Sequence, residues 1–198
     1  LPEVALDLNP ATTKDELQKL PDALNVELPS DFWQLYAWHD GQKMSLKTGP
    51  WYGLHFIPLE RVQSECEMWR QVIKESSPES MEGLNSEMKS TPSGFVKRQY
   101  ANARWIPFAY DWGGNHLGVD LSPDDKGTSG QVINFGRNEE RKIAIAPSIS
   151  TFLSWLLNEL NSGNFKIIEE ADGGRSFNTL RPEKRHFLDS LAIIFPET

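Results

Sequence analysis

The sequence lacks what several common kinds of protein depend on. Its 198 residues include one cysteine, Cys66, so no internal disulfide forms, and no Cys/His spacing supplies the ligands of a structural zinc. A lone thiol suits a reducing compartment, and the expectation is a cytoplasmic protein. No apolar run approaches the roughly 18 residues needed to cross a bilayer. The first residues show no basic-then-apolar signal peptide. The chain opens on Leu1 rather than Met, which leaves a removed N-terminal region open. Bases are in deficit, with 20 Lys and Arg against 28 Asp and Glu and a net charge of −8. Such a field repels phosphate backbones and the bases are not clustered. Nucleic acid is therefore disfavoured as a partner, and a basic protein is favoured.

What is present suffices for a core. Apolar residues make up 38% of the chain and aromatics 11%, with seven tryptophans, enough for one domain to fold without staples. Thr13-x-x-Glu16 is a capping box that starts a short helix running to Leu20, with Pro21 ending it or beginning the next turn. Pro29 and Ser30 start a second, with Phe32, Leu35 and Tyr36 inward, Trp33 bordering them and Gly41 as a stop. YGLHFI reads as a strand. From Pro58, Leu59, Val62, Cys66, Trp69, Val72 and Ile73 recur at helical spacing. Residues 75–94 are rich in Ser, Glu, Pro and Gly and predict an exposed loop. RWIPFA, NHLGVDL, GQVINF and RKIAIA then read as strands. In NHLGVDL, Leu117, Val119 and Leu121 alternate with His116, Gly118 and Asp120. That pattern predicts a sheet with one packed face and one open to solvent or a partner. Ile149, Phe152, Leu153, Leu156, Leu157 and Leu160 form a stripe that predicts a helix ending at Gly163. NFKII adds a strand, and Phe187, Leu188, Leu191, Ile194 and Phe195 predict a terminal helix that docks back.

One stretch, WIPFAYDWGGNHLGVDLSP (105–123), concentrates polar groups. Asp111, Asn115, His116 and Asp120 are oxygen and imidazole donors of the sort that bind Mg or Zn. Against that, Asp111 and Asn115 flank Gly113-Gly114, where a tight turn places Asx side chains on backbone. His116 and Asp120 lie four residues apart on one strand face, about 13 Å, too far to share an ion. Cys66 with His39 would make a thiol–imidazole pair, but Cys66 lies on an apolar helix face, and a core role outweighs it. His39, at a helix end, is expected to meet that helix's free carbonyls. Trp155 falls between inward positions and reads as half exposed. Trp51 and Trp112 sit in loops beside glycines, where each is either a binding anchor or a lid folded over the core edge. No catalytic residue, metal or cofactor is assigned.

Order and motif together resemble a family. LPSDFWQLYAWHDGQ, then WIPFAYDWGGNHLGVDLSP, GQVINFG and SISTFLSWLLNEL are similar to the four ordered motifs of the SUKH superfamily, which includes fungal cell-wall assembly regulators and bacterial immunity proteins. The resemblance covers residues 12–165, with 166–198 as an extension expected to dock on the same domain. It implies an α+β fold: a mostly antiparallel sheet, short N-terminal helices and helices packed on one face. It also implies protein binding without catalysis. Trp38, His39, Asp40, Asp111, Trp112, Asn115, His116 and Asp120 lie in these motifs and are the expected partner-binding residues, with Asp40, Asp111 and Asp120 rimming a shared acidic groove. The compact chain, without polyglutamine tracts or long disordered arms, puts first an immunity protein that occludes a basic, nuclease-type toxin. The alternative is a regulatory scaffold in cell-wall assembly or signalling, and a metal-dependent hydrolase ranks third.

Overall fold

In the computed structural model, which describes residues 1–170 and 173–197, a short α1 (Pro2–Leu6) precedes α2 (Lys14–Leu24) and α3 (Ser30–Trp38). At α2 the Thr13 side chain accepts from Glu16 N while the Glu16 carboxylate accepts from Thr13 N, closing the expected box. Pro21 does not end this helix. It lies inside it, and the stop falls at Asn25, which takes the left-handed conformation (φ 53°). β1 (His55–Phe56) is shorter than the YGLHFI run predicts, because Trp51 and Leu54 close a tight turn just before it. α4 (Leu59–Glu75) starts after Pro58, as read.

The segment 75–94 departs from expectation. It forms α5 (Pro78–Ser86), capped by the Ser77 side chain, and β2 (Lys89–Thr91), which pairs in parallel with β6 at the sheet edge. Met88, Ser90 and Thr91 are buried there. Its polar composition concealed a strand whose value to the fold is backbone pairing.

The centre is β3 (Trp105–Tyr110), β4 (Asn115–Asp120), β5 (Gln131–Gly136) and β6 (Arg141–Ala146), an antiparallel meander in a sheet of order β1-β3-β4-β5-β6-β2. α6 (Ile149–Asn161), capped by Ser148, follows. β7 (Lys166–Glu169) and β8 (Arg175–Asn178) form a separate hairpin, and α7 (Phe187–Ile194) ends the described elements. This is an α+β fold.

Ile106, Phe108, Leu117, Val119, Val132, Ile143 and Ile145 point to one face, where they join the inner faces of α2, α3, α6 and α7 in the main core. Phe187, Leu188 and Leu191 of α7 are among its buried members. The opposite face is not open as the alternation predicts. Trp69 of α4, Val96 and Ala101 cover Trp105, Ile133 and Phe135 in a second cluster. The alternation is real, but α4 is long enough to serve both clusters, with Cys66 in the first and Trp69 in the second. Along α6, Leu157 leaves the predicted stripe and is 58% exposed.

Candidate functional site

The turn between β3 and β4 is built by Asp111. Its Oδ1 accepts from Gly113 N at 2.6 Å and Asn115 N at 2.9 Å, and its Oδ2 accepts from Asn115 Nδ2 at 2.7 Å. This Asx arrangement forces Trp112, at the tip, to φ +64°, a conformation that costs a bulky residue about 1–3 kcal/mol. The indole is 54% exposed, yet it is oriented. Trp112 Nε1 donates to His55 Nδ1 at 3.0 Å, and its ring lies 5.5 Å from that of Tyr110. His55 Nε2 faces the Leu46 carbonyl at 2.8 Å, so the proton sits on Nε2 and Nδ1 is left to accept. Burial lowers the His55 pKa and keeps that ring neutral. The Arg61 guanidinium also stands over Tyr110, 5.1 Å from the ring centroid, and pairs with Glu65 at 2.5 Å.

The polar residues behind this tip are buried, which corrects their expected place on a contact surface. Asn115 is 6% exposed, His116 and Asp120 not at all. Asn115 Oδ1 accepts from Asn138 N at 2.8 Å and ties the next hairpin to the turn. His116 lies among Tyr110, Phe135 and Trp69 and accepts from Trp69 Nε1 at 3.2 Å. Burial pushes its pKa down to about 3, so the 3.5 Å approach of Glu65 is not an ion pair. Asp120, at the far end of β4, accepts from Ser122 N at 2.9 Å and Gln131 Nε2 at 3.1 Å. Burial raises its pKa. The donor set considered for a metal is thus committed to turn and core. Among the described residues, no group of three or more His, Cys, Asp or Glu is placed to hold an ion.

A second surface forms at the end of α3. Trp38 is 60% exposed and stands edge-on to His39, with ring centroids 4.5 Å apart. His39 does not turn back to its own helix; its Nδ1 meets the Asn9 carbonyl at 2.5 Å. Asp40 Oδ1 accepts from Leu59 N at 2.8 Å, capping α4, and the Asp40 backbone bonds Pro10 O and Asn9 Nδ2. Burial, more than its acidic neighbours, raises the Asp40 pKa. With Glu16 and Glu60 it lines a groove of about 650 Å³. Asp111 and Asp120 do not share it, since they sit at opposite ends of β4. The expected common groove is therefore split.

The other candidates resolve toward the core. Trp51 is buried against Phe56, Phe108 and Phe152, and Cys66 is buried with its thiol pushed up to about 12. Trp155 is partly buried, as read. Sequence reasoning missed Lys142. It is fully buried, 5.5 Å from the Trp105 ring centroid, and donates to Glu139 O at 2.5 Å. Burial lowers its pKa to about 8. The alternation in RKIAIA put Lys142 opposite Ile143 and Ile145, on the face taken to be open.

The chain is thus an α+β sheet domain that presents two exposed tryptophans, Trp38 and Trp112, over a committed polar interior. Residues 11–155 fit the profile of the SMI1 / KNR4 family (SUKH-1), and the chain belongs to that family. It is 30% identical over 199 residues to the cell wall assembly regulator SMI1 of Saccharomyces cerevisiae, covering 86% of this chain and 39% of that protein. The glucan synthesis regulatory protein of Neurospora crassa is 31% identical, with 94% and 41% covered. The cell wall biosynthesis/cell cycle regulator smi1 of Schizosaccharomyces pombe is 31% identical, with 90% and 37% covered. The chain thus spans about two fifths of the length of these relatives, and all three are named regulators rather than enzymes.

Proposed function

We propose that this chain is the folded, non-catalytic binding domain of a regulator of cell-wall assembly, acting in the cytoplasm as a scaffold for protein partners. Its similarity, across most of its length, to fungal proteins named as wall, glucan and cell-cycle regulators carries the reading. The immunity role placed first from sequence rests on the chain's compactness; the relatives favour the regulatory alternative. Trp38 and Trp112 are the contact anchors, since large oriented aromatics yield most of the binding energy at such surfaces. Asp111 and His55 hold Trp112 in place, with Asn115 and His116 behind the turn, and His39 packs against Trp38 while Asp40 caps α4. The groove at Glu16, Asp40 and Glu60 suits a basic protein segment rather than nucleic acid.

The test grafts this chain in place of the matching segment of the Saccharomyces cerevisiae regulator, in a strain lacking its own copy. Growth under a wall-perturbing dye is then scored. Rescue by the native graft, lost in Trp38→Ala/Trp112→Ala at unchanged protein level, is expected. Failure of a soluble, folded native graft to restore growth would overturn the regulatory reading.

A further inference from the structure

The C-terminal part carries a groove of the opposite charge. About 720 Å³ in volume, it lies between the β7–β8 hairpin, the loop before α7 and the turn at Tyr52-Gly53. Lys47, Lys166, Lys184 and Arg185 line it with His186, against two acids, Glu170 and Glu183. Both acids are engaged: Glu183 pairs with Lys166 at 2.5 Å and Glu170 accepts from Ser176 Oγ at 2.8 Å. Lys184 and Arg185 are exposed and make no ion pair among the described residues. In a chain of net charge −8, a groove that presents two such cations runs against the mean field.

The groove is also built. Asn178 Nδ2 donates to the Lys184 carbonyl at 3.0 Å, and Thr179 Oγ1 donates to the Pro182 carbonyl at 2.8 Å. Asn164 clamps Arg181 from both sides, accepting from its N–H at 2.8 Å and donating to its carbonyl at 3.0 Å. These bonds fix the loop that presents both free cations, so little ordering entropy is lost when a partner docks. Half-buried Ile168 and Phe177 lie on the same lining and offer apolar contact between the charges.

We infer that this groove docks an acidic, extended segment of a partner protein, its carboxylates meeting Lys184 and Arg185 and its apolar side chains resting on Ile168 and Phe177. The site is separate from Trp38 and Trp112, and it gives the scaffold a second face selective for the opposite charge. A segment with alternating acidic and apolar residues matches that lining, whereas a free anion would satisfy the cations alone.

The test uses the full 198-residue chain and a fluorescein-labelled decapeptide of alternating Glu and Val, followed by anisotropy at about 50 and 200 mM salt. Binding that weakens with salt and falls about tenfold or more in Lys184→Glu/Arg185→Glu is expected, whereas Lys126→Glu, in the exposed loop between β4 and β5 and outside the groove, should bind like the parent. A Lys/Val decapeptide should not bind. Absence of binding by the Glu/Val peptide would overturn the inference, as would equal binding by the double variant. Equal displacement by inorganic phosphate at matched ionic strength would do so too, by reducing the site to an anion trap. Loss in Trp112→Ala alone would place the docking at the other surface.

Discussion

Removing the Asp111 carboxylate is the sharpest perturbation of the turn that presents Trp112. In Asp111→Ala three accepted hydrogen bonds disappear. Gly113 N is exposed and regains water. Asn115 is only 6% exposed, so its backbone N–H and Nδ2 lose their acceptor with little solvent to replace it. Each such orphan costs about 1–3 kcal/mol. The conformation of Trp112 at φ +64° also loses the contacts that impose it. A loss of about 2–4 kcal/mol follows, and for a domain of this size that lowers Tm by about 5–15 °C. Asp111→Asn keeps an acceptor for both backbone N–H groups and forfeits mainly the bond from Asn115 Nδ2, so about 1 kcal/mol is expected. Urea denaturation of both variants, followed by far-UV circular dichroism, measures the difference. If Asp111→Ala stays within about 0.5 kcal/mol of the parent, the carboxylate does not organise the turn, and its place in the motif needs another explanation, direct contact with a partner above all.

Three further outcomes are expected. Cys66, buried with its thiol pushed up to about 12, should resist a disulfide reagent at pH 8 in the native protein and react fully in guanidinium. His116 protonates near pH 6.5 when unfolded but only near pH 3 when buried. Its contribution is therefore lost as pH falls below 6.5, by about 2 kcal/mol at pH 5. The stability difference between pH 7 and pH 5 should be smaller by that amount in His116→Gln, and equal slopes would refute the assignment. A Cβ at Gly118 would lie 2.4 Å from the Ile106 carbonyl oxygen and 2.7 Å from Phe135 Cε1. Gly118→Ala should cost about 1–3 kcal/mol, read from the same urea curves.

Local chemistry was legible in the sequence wherever a few neighbouring residues settle the outcome. The Thr13/Glu16 box, the Pro58 start of α4 and the Asp111 turn all depend on residues within four positions of the backbone they shape. Alternation along NHLGVDL likewise assigned Leu117 and Val119 to one face and His116 and Asp120 to the other. The family was legible too, because its motifs are these same local solutions in a set order.

What alternation does not encode is what lies across the second face. Trp69, 47 residues from His116, comes over the sheet and donates to it, converting an expected contact surface into core. The same covering buries Lys142 against Trp105. Parallel pairing of β2 with β6 rests on backbone bonds between segments about 50 residues apart, which side-chain composition in 75–94 does not report. Pro21 persists inside α2 because the burial of Leu20, Pro21 and Leu24 outweighs the missing hydrogen bond. Contacts distant in sequence decide such points: burial energy depends on which surfaces meet. The sequence by itself determined the turns, the caps and the two faces of each strand; the tertiary structure decided which of those faces remained free to meet a partner.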